Sequence, residues 1–172
     1  MNNNNYQQLK QWFDAVDRDR SGRINSNELQ AALSTGGYSF SNTTAQKMLA
    51  TFGRCEVGGS IAFPEFQQLH QFLGNVSQAF RNRDRTGDGV LDGGEVRNAL
   101  HDSGYQTTEG TFQNLMRRFD RDKRGALKFD DYIDLSIFIN DVRNTFAFYD
   151  QTHSGQVTFN FDSFLTASVT IQ

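Results

Sequence analysis

Asp17-Arg18-Asp19-Arg20-Ser21-Gly22-Arg23-Ile24-Asn25-Ser26-Asn27-Glu28 has the spacing of a calcium-coordinating loop. A hard cation of that size takes roughly six to eight oxygens. A loop of about 12 residues supplies them from positions 1, 3, 5, 7 and 9, with a two-oxygen carboxylate at the last position and Gly at the sixth for the turn. Here Asp17, Asp19 and Ser21 offer side-chain oxygens and Arg23 its carbonyl. Asn25 stands where a bridging water is held, Glu28 closes the set and Gly22 turns the chain. A second copy runs from Asp84 to Glu95. Asp84, Thr86 and Asp88 lead, Val90 gives a carbonyl, Asp92 takes the water position, Glu95 closes and Gly89 turns. Each loop departs from the strict pattern by one hydroxyl residue, Ser21 or Thr86, which still coordinates but with less charge. Because affinity follows charge and rigidity, the Asp84–Glu95 loop ranks first and the Asp17–Glu28 loop second. These are the two expected calcium sites.

The same unit recurs five times, with loops starting near positions 17, 53, 84, 120 and 150. The eighth position of each is apolar: Ile24, Ile61, Leu91, Leu127 and Val157. One helical turn before each loop comes Phe13, Leu49, Phe80, Met116 or Phe146, on the expected inward face. The second loop has Gly53, Arg54 and Cys55 where acids belong and an extra residue before Ile61, so it keeps the fold signals without the oxygens. The fourth keeps Asp120 and Asp122 but places Arg124 and Lys128 at oxygen positions, and its closing Asp131 is one methylene short of Glu. The fifth offers Asp150, Thr152 and Ser154 but ends on Phe161 instead of a carboxylate. Weak binding at best is expected of these last two.

Alternating long and short gaps between loops set the architecture. Each short gap suits one uninterrupted helix, striped by Phe66, Leu69, Phe72, Leu73, Val76 and Phe80 in one case and by Tyr132, Leu135, Ile139, Val142 and Phe146 in the other. The long gaps break at Ser34–Tyr38 and at Ser103-Gly104-Tyr105, with Thr44 and Thr107 suited to restarting a helix. The expectation is an all-α fold of about eight helices. It forms five helix–loop–helix hands, paired through short two-stranded contacts between loops, over residues 9–172, after an Asn/Gln-rich, disordered start over 1–8. Such loops pair two by two, so a fifth leaves an open strand edge. A second copy offering the same edge closes it. Val157, Phe159, Phe161, Phe164 and Leu165 are the expected dimer interface.

Composition excludes other classes. A formal net charge of −3 gives no footprint for nucleic acid. The chain has a single cysteine, so no internal disulfide, and no apolar run long enough to span a bilayer. The first eight residues lack the apolar region of a secretory leader. The expected setting is the cytoplasm, with calcium-dependent peripheral membrane contact and no transmembrane segment. His70, His101 and His153 are scattered away from Cys55, so no nucleophile–base pair or zinc set is visible and no enzyme is expected.

In repeat count, alternating gaps, Gly-Tyr breaks and the two intact loops, the chain resembles the penta-EF-hand family from about Leu9 to Gln172. Its intact first loop is most similar to the apoptosis-linked calcium adaptor and peflin group. The resemblance implies Ca2+ at the first and third loops, a homodimer or family heterodimer through the fifth hand, and calcium-dependent binding of Pro-rich protein segments. The function expected is a calcium sensor and adaptor that changes shape on binding the ion. The alternatives are a regulatory subunit of a calcium-dependent enzyme, as in calpain, and a passive buffer.

Overall fold

Helices bracket the loops as the repeat requires. The computed structural model describes residues 3–35, 40–53 and 59–171. Among them the order is α1 (Asn3–Val16), β1 (Ile24–Asn25), α2 (Ser26–Thr35), α3 (Asn42–Phe52), β2 (Ser60–Ile61), α4 (Phe63–Arg83), β3 (Val90–Asp92), α5 (Gly93–Asp102), α6 (Glu109–Phe119), β4 (Ala126–Lys128), α7 (Phe129–Tyr149) and α8 (Phe161–Thr170). The two long helices, α4 and α7, are the uninterrupted ones expected across the short gaps. No described helix is long and apolar enough to cross a membrane.

The eighth loop position is the centre of pairing. Ile24 lies opposite Ile61 in one antiparallel ladder, and Leu91 lies opposite Leu127 in the other. All four side chains are fully buried. Each β-branched or Leu side chain seals the end of a helix cradle, while its strand satisfies the partner's backbone groups. Hands one and two therefore form one pair, and hands three and four another.

Phe13, Leu49, Phe80 and Met116 are buried one turn before their loops, as the spacing implies. Phe146 is 40% exposed, because the fifth hand has no neighbour to cover it. The core also joins the pairs: Phe40, between α2 and α3, meets Phe129 of α7 at 6.0 Å, and Thr51 on α3 donates to Asp141 on α7.

Three boundaries differ from expectation. Helix α1 begins at Asn3, inside the stretch read as disordered, and Tyr6 explains how: its ring packs edge-on against Phe63 at 5.3 Å. A tertiary contact there outweighs the poor helix propensity of Asn. Helix α3 is capped by Ser41 rather than started at Thr44, whose own N–H donates to the Ser41 hydroxyl and whose side chain is buried. Helix α6 is capped by Thr108, not Thr107. The second-loop positions Arg54 and Cys55, and residues 36–39 of the first break, lie outside the described residues.

Candidate metal centre

The first loop draws its acids together. Carboxylate oxygens of Asp17, Asp19 and Glu28 lie within 4.8 Å of one another, a set that offers one hard cation three anionic donors. Gly22 at φ +77° makes the turn, and Arg20 two residues earlier is also left-handed at φ 56°. That backbone aims N–H groups at the first acid. Asp17 Oδ1 accepts from Ser21 N at 2.9 Å, and its Oδ2 accepts from Gly22 N at 2.8 Å. The Ser21 side chain and its N–H beside Asp19 hold that carboxyl below its ordinary value, so it is ionised and ready to ligate. The Ser21 hydroxyl donates to the Arg23 carbonyl at 3.0 Å, which brings two further expected oxygen donors side by side.

Glu28 is occupied by the backbone. Its Oε1 accepts from Arg18 N at 2.9 Å and its Oε2 from Asn25 N at 3.0 Å, while Asn25 Oδ1 accepts from Glu28 N at 3.1 Å. This is a capping box at the start of α2. The third loop repeats it: Asp92 Oδ1 accepts from Glu95 N at 2.8 Å, and Glu95 Oε2 accepts from Asp92 N at 3.1 Å. The water position and the closing position are thus also the two halves of a helix cap. Even the second hand keeps the reach-back, since Glu65 Oε2 accepts from Ala62 N at 3.0 Å. That explains why a loop without acidic ligands retains its Glu.

In the third loop, Asp84 Oδ1 and Oδ2 accept from Gly87 N and Gly89 N at 2.7 and 3.0 Å. The Thr86 hydroxyl donates to Asp84, and Val90 N donates to Asp88. The turn is the same, yet among the described residues the triad of converging acids belongs to the first loop. Charge counting put the third loop ahead. The arrangement of side chains puts the first loop closer to an assembled site.

The first loop carries Arg18, Arg20 and Arg23 among its acids, and their placement decides whether they interfere. Arg23 turns away to the second hand, donating from Nε to Ser60 Oγ at 2.9 Å and from Nη2 to the Ser60 carbonyl at 2.8 Å. Its carbonyl is left facing the loop. Arg18 and Arg20 are exposed and make no ion pair among the described residues.

The fourth loop has the same turn, with Lys123 and Gly125 left-handed and Asp120 accepting from Gly125 N at 2.6 Å. Its cations, however, point inward. Lys128 Nζ lies 2.5 Å and Arg124 Nη2 3.4 Å from Asp122 Oδ2. The Lys128 ammonium holds the Asp122 carboxyl below its usual value. Asp131 is buried, and its Oδ1 stands 3.1 Å from Arg121 Nε without hydrogen-bond alignment. Burial pushes its carboxyl up to about 6, helped by repulsion from Asp130. The fifth loop matches the first at its start: Asp150 accepts from Ser154 N at 2.9 Å and Gly155 N at 2.8 Å, and Thr152 donates to it. Phe161, where a closing acid would stand, is 81% exposed.

Two apolar surfaces stand beside the loops, the first missed by sequence reasoning and the second expected from it. An apolar groove of about 760 Å³ opens between α1, α2 and α4, lined by Trp12, Leu29, Leu33, Phe66, Leu69 and Leu73, with Glu28 on its wall. His70 packs at a tilt against Trp12 at 5.3 Å, and burial lowers its pKa. The other is an exposed apolar face on the fifth hand, where Phe148, Phe161, Phe164, Leu165 and Val169 are 48–81% exposed. Val157 and Phe159 are half-buried beside it, Phe159 packing on Tyr149.

Comparisons with known proteins agree with this anatomy. A model of an EF-hand domain pair matches residues 76–137 and a model of an EF hand matches residues 9–34. Sorcin of Schistosoma japonicum is 37% identical over 95% of this chain and 95% of its own length. Penta-EF hand domain-containing protein 2 of Dictyostelium discoideum is 34% identical, over 89% of this chain and 73% of its own. The solved structure of a homolog of programmed cell death 6 protein from Leishmania major Friedlin is 54% identical. It superposes with a TM-score of 0.81 over 95% of this chain and 90% of that one.

Proposed function

The chain belongs to the penta-EF-hand family of calcium-binding proteins, and from that premise we propose that it is a calcium sensor and adaptor with its working sites in the first and third loops. Asp17, Asp19, Ser21, the Arg23 carbonyl and Glu28 hold one ion, with Asn25 through water. Asp84, Thr86, Asp88, the Val90 carbonyl and Glu95 hold the other, with Asp92 through water. The ion supplies charge neutralisation that lets several carboxylates converge.

The observation that carries this reading is the double position of Glu28. It contributes to the acidic triad of the first loop and also lines the groove between α1, α2 and α4. To close the site, Glu28 gives up its backbone N–H partners and turns inward, and α2 must follow its first turn. That changes the wall of the groove, which is how a local charge event reaches a surface where protein segments can bind. A passive buffer needs no such link. The exposed fifth-hand face supports pairing with a second penta-EF-hand chain, which also covers the unpaired segment around Val157.

Trp12 makes the test direct, since it is the chain's one tryptophan and lines the groove. Its emission should shift on calcium addition in the wild type, with two binding events in calorimetry. Two bound ions with no change in Trp12 emission or in hydrophobic-dye binding would reduce the protein to a buffer.

A further inference from the structure

The fourth loop contains a feature unlike the others, and it lies in the residue at its second position. Three described loops carry Arg there: Arg18, Arg85 and Arg121. In the first and third, it is the backbone N–H of that Arg that holds the closing Glu, at 2.9 and 3.4 Å. In the fourth, the guanidinium takes over. Arg121 reaches Asp131 at 3.1 Å, Asp130 at 3.5 Å and, by a direct hydrogen bond, Asp134 one turn along α7. Asp134 also pairs with Lys47 of α3 at 3.3 Å. Asp131 and Asp134 are each 3% exposed, and each keeps one buried oxygen with no hydrogen-bond partner.

Net loop charge does not explain the difference. Residues 17–28 hold three acids and three Arg, and residues 120–131 hold four acids and four Lys or Arg, so both are formally neutral. Direction explains it. In the first loop Arg23 points to Ser60 of the next hand, whereas in the fourth Arg121 and Lys128 point at the acids that would be ligands. Buried carboxylates require a partner charge, and here the chain supplies it.

We propose that Arg121 is the resident cation of the fourth hand. Its guanidinium stands in for a divalent ion, keeps Asp131 out of the loop, and with Lys47 and Asp134 fixes α7 to α3. The fourth hand is then a permanently closed joint between the two pairs, and only the hands with free closing acids respond to calcium. This rests on calcium being the ion of the first and third loops, and the wild-type titration tests that part separately.

The test is the double variant Arg121→Gln/Lys128→Gln, titrated with calcium after chelation and compared with wild type by calorimetry and circular dichroism. The expected result is one additional bound calcium per chain, with a lower melting temperature in chelator than wild type. If the variant is unfolded in chelator, calcium should refold it, with one more ion bound than wild type. Three outcomes overturn the proposal: a folded variant with the wild-type number of ions, an unfolded variant that calcium does not rescue, or unchanged melting in chelator. A wild type that binds no calcium would instead sink the sensor reading, while the melting comparison in chelator still tests the joint.

Discussion

Replacing Glu28 separates two duties that one carboxylate performs. In chelator its oxygens cap α2 and accept from Arg18 N and Asn25 N at 2.9 and 3.0 Å. Glu28→Ala loses both bonds. The Asn25 cap survives, but two backbone donors left without their charged acceptor cost roughly 1 kcal/mol each. About 2 kcal/mol corresponds to a fall of about 4–8 °C for a chain of this size. Glu28→Gln keeps one acceptor oxygen and turns an amide toward the other donor, so roughly half that loss is expected.

Calcium adds a loss that the two variants share. At about 1 mM calcium and a sensor-type affinity near 10⁻⁶ M, one site stabilises the folded state by about 4 kcal/mol. Glutamine offers one neutral oxygen where two anionic ones are needed, so both variants lose that increment equally. Differential scanning calorimetry in chelator and in calcium reads all four quantities. The third loop still raises melting in both variants, so the reasoning fails if Glu28→Gln retains the full wild-type rise in calcium, or if both variants melt like wild type in chelator.

Other consequences are as direct. Glu95→Gln should remove the second binding event while leaving the first, and survival of both events in a Glu28→Gln/Glu95→Gln variant would refute the ligand assignment. Leu91→Ala, at the centre of the β3–β4 ladder and fully buried, should cost about 2–5 kcal/mol in denaturant titration. Phe164→Asp on the exposed fifth-hand face should yield monomers by light scattering with little change in stability, and an unchanged dimer would place the interface elsewhere. Asp131 titrates near 6 when folded against its ordinary 3.8, so the folded chain holds that proton more tightly than the unfolded one. Its contribution to stability is therefore lost as pH rises from about 4 to about 6. Two units would amount to about 3 kcal/mol at most. Asp131→Asn should gain up to that much on wild type across the window in chelator, and parallel stability curves would exclude it.

What the chain discloses in one dimension follows from periodicity. Ile24, Ile61, Leu91 and Leu127 could be matched as strand partners because each stands at the same loop position, and the ladders pair them in that register. The long helices were legible for the same reason. The groove between α1, α2 and α4 was not, because Trp12 and Leu73 belong to different hands and nothing local marks them as neighbours. The start of α1 was misread because the Tyr6–Phe63 contact spans more than a full repeat.

Charge was the least legible quantity of all. Read as residue types, the first and fourth loops are equally balanced, and a count of carboxylates favours the third over the first. The outcome depends on where a guanidinium at the end of a long, flexible stem comes to rest. Arg23 finds the Ser60 carbonyl across the β1–β2 ladder, and Arg121 finds three acids at the head of α7. Neither destination is encoded within its own loop. Both follow from which hand is the neighbour: the second offers an accepting carbonyl that draws a cation off its loop, and α7 offers acids that draw one in. Pairing of hands therefore does more than bury Ile24 against Ile61. It selects which loops keep their carboxylates free for an ion, so exchanging the fourth loop's cations should change ion stoichiometry without moving a single strand contact.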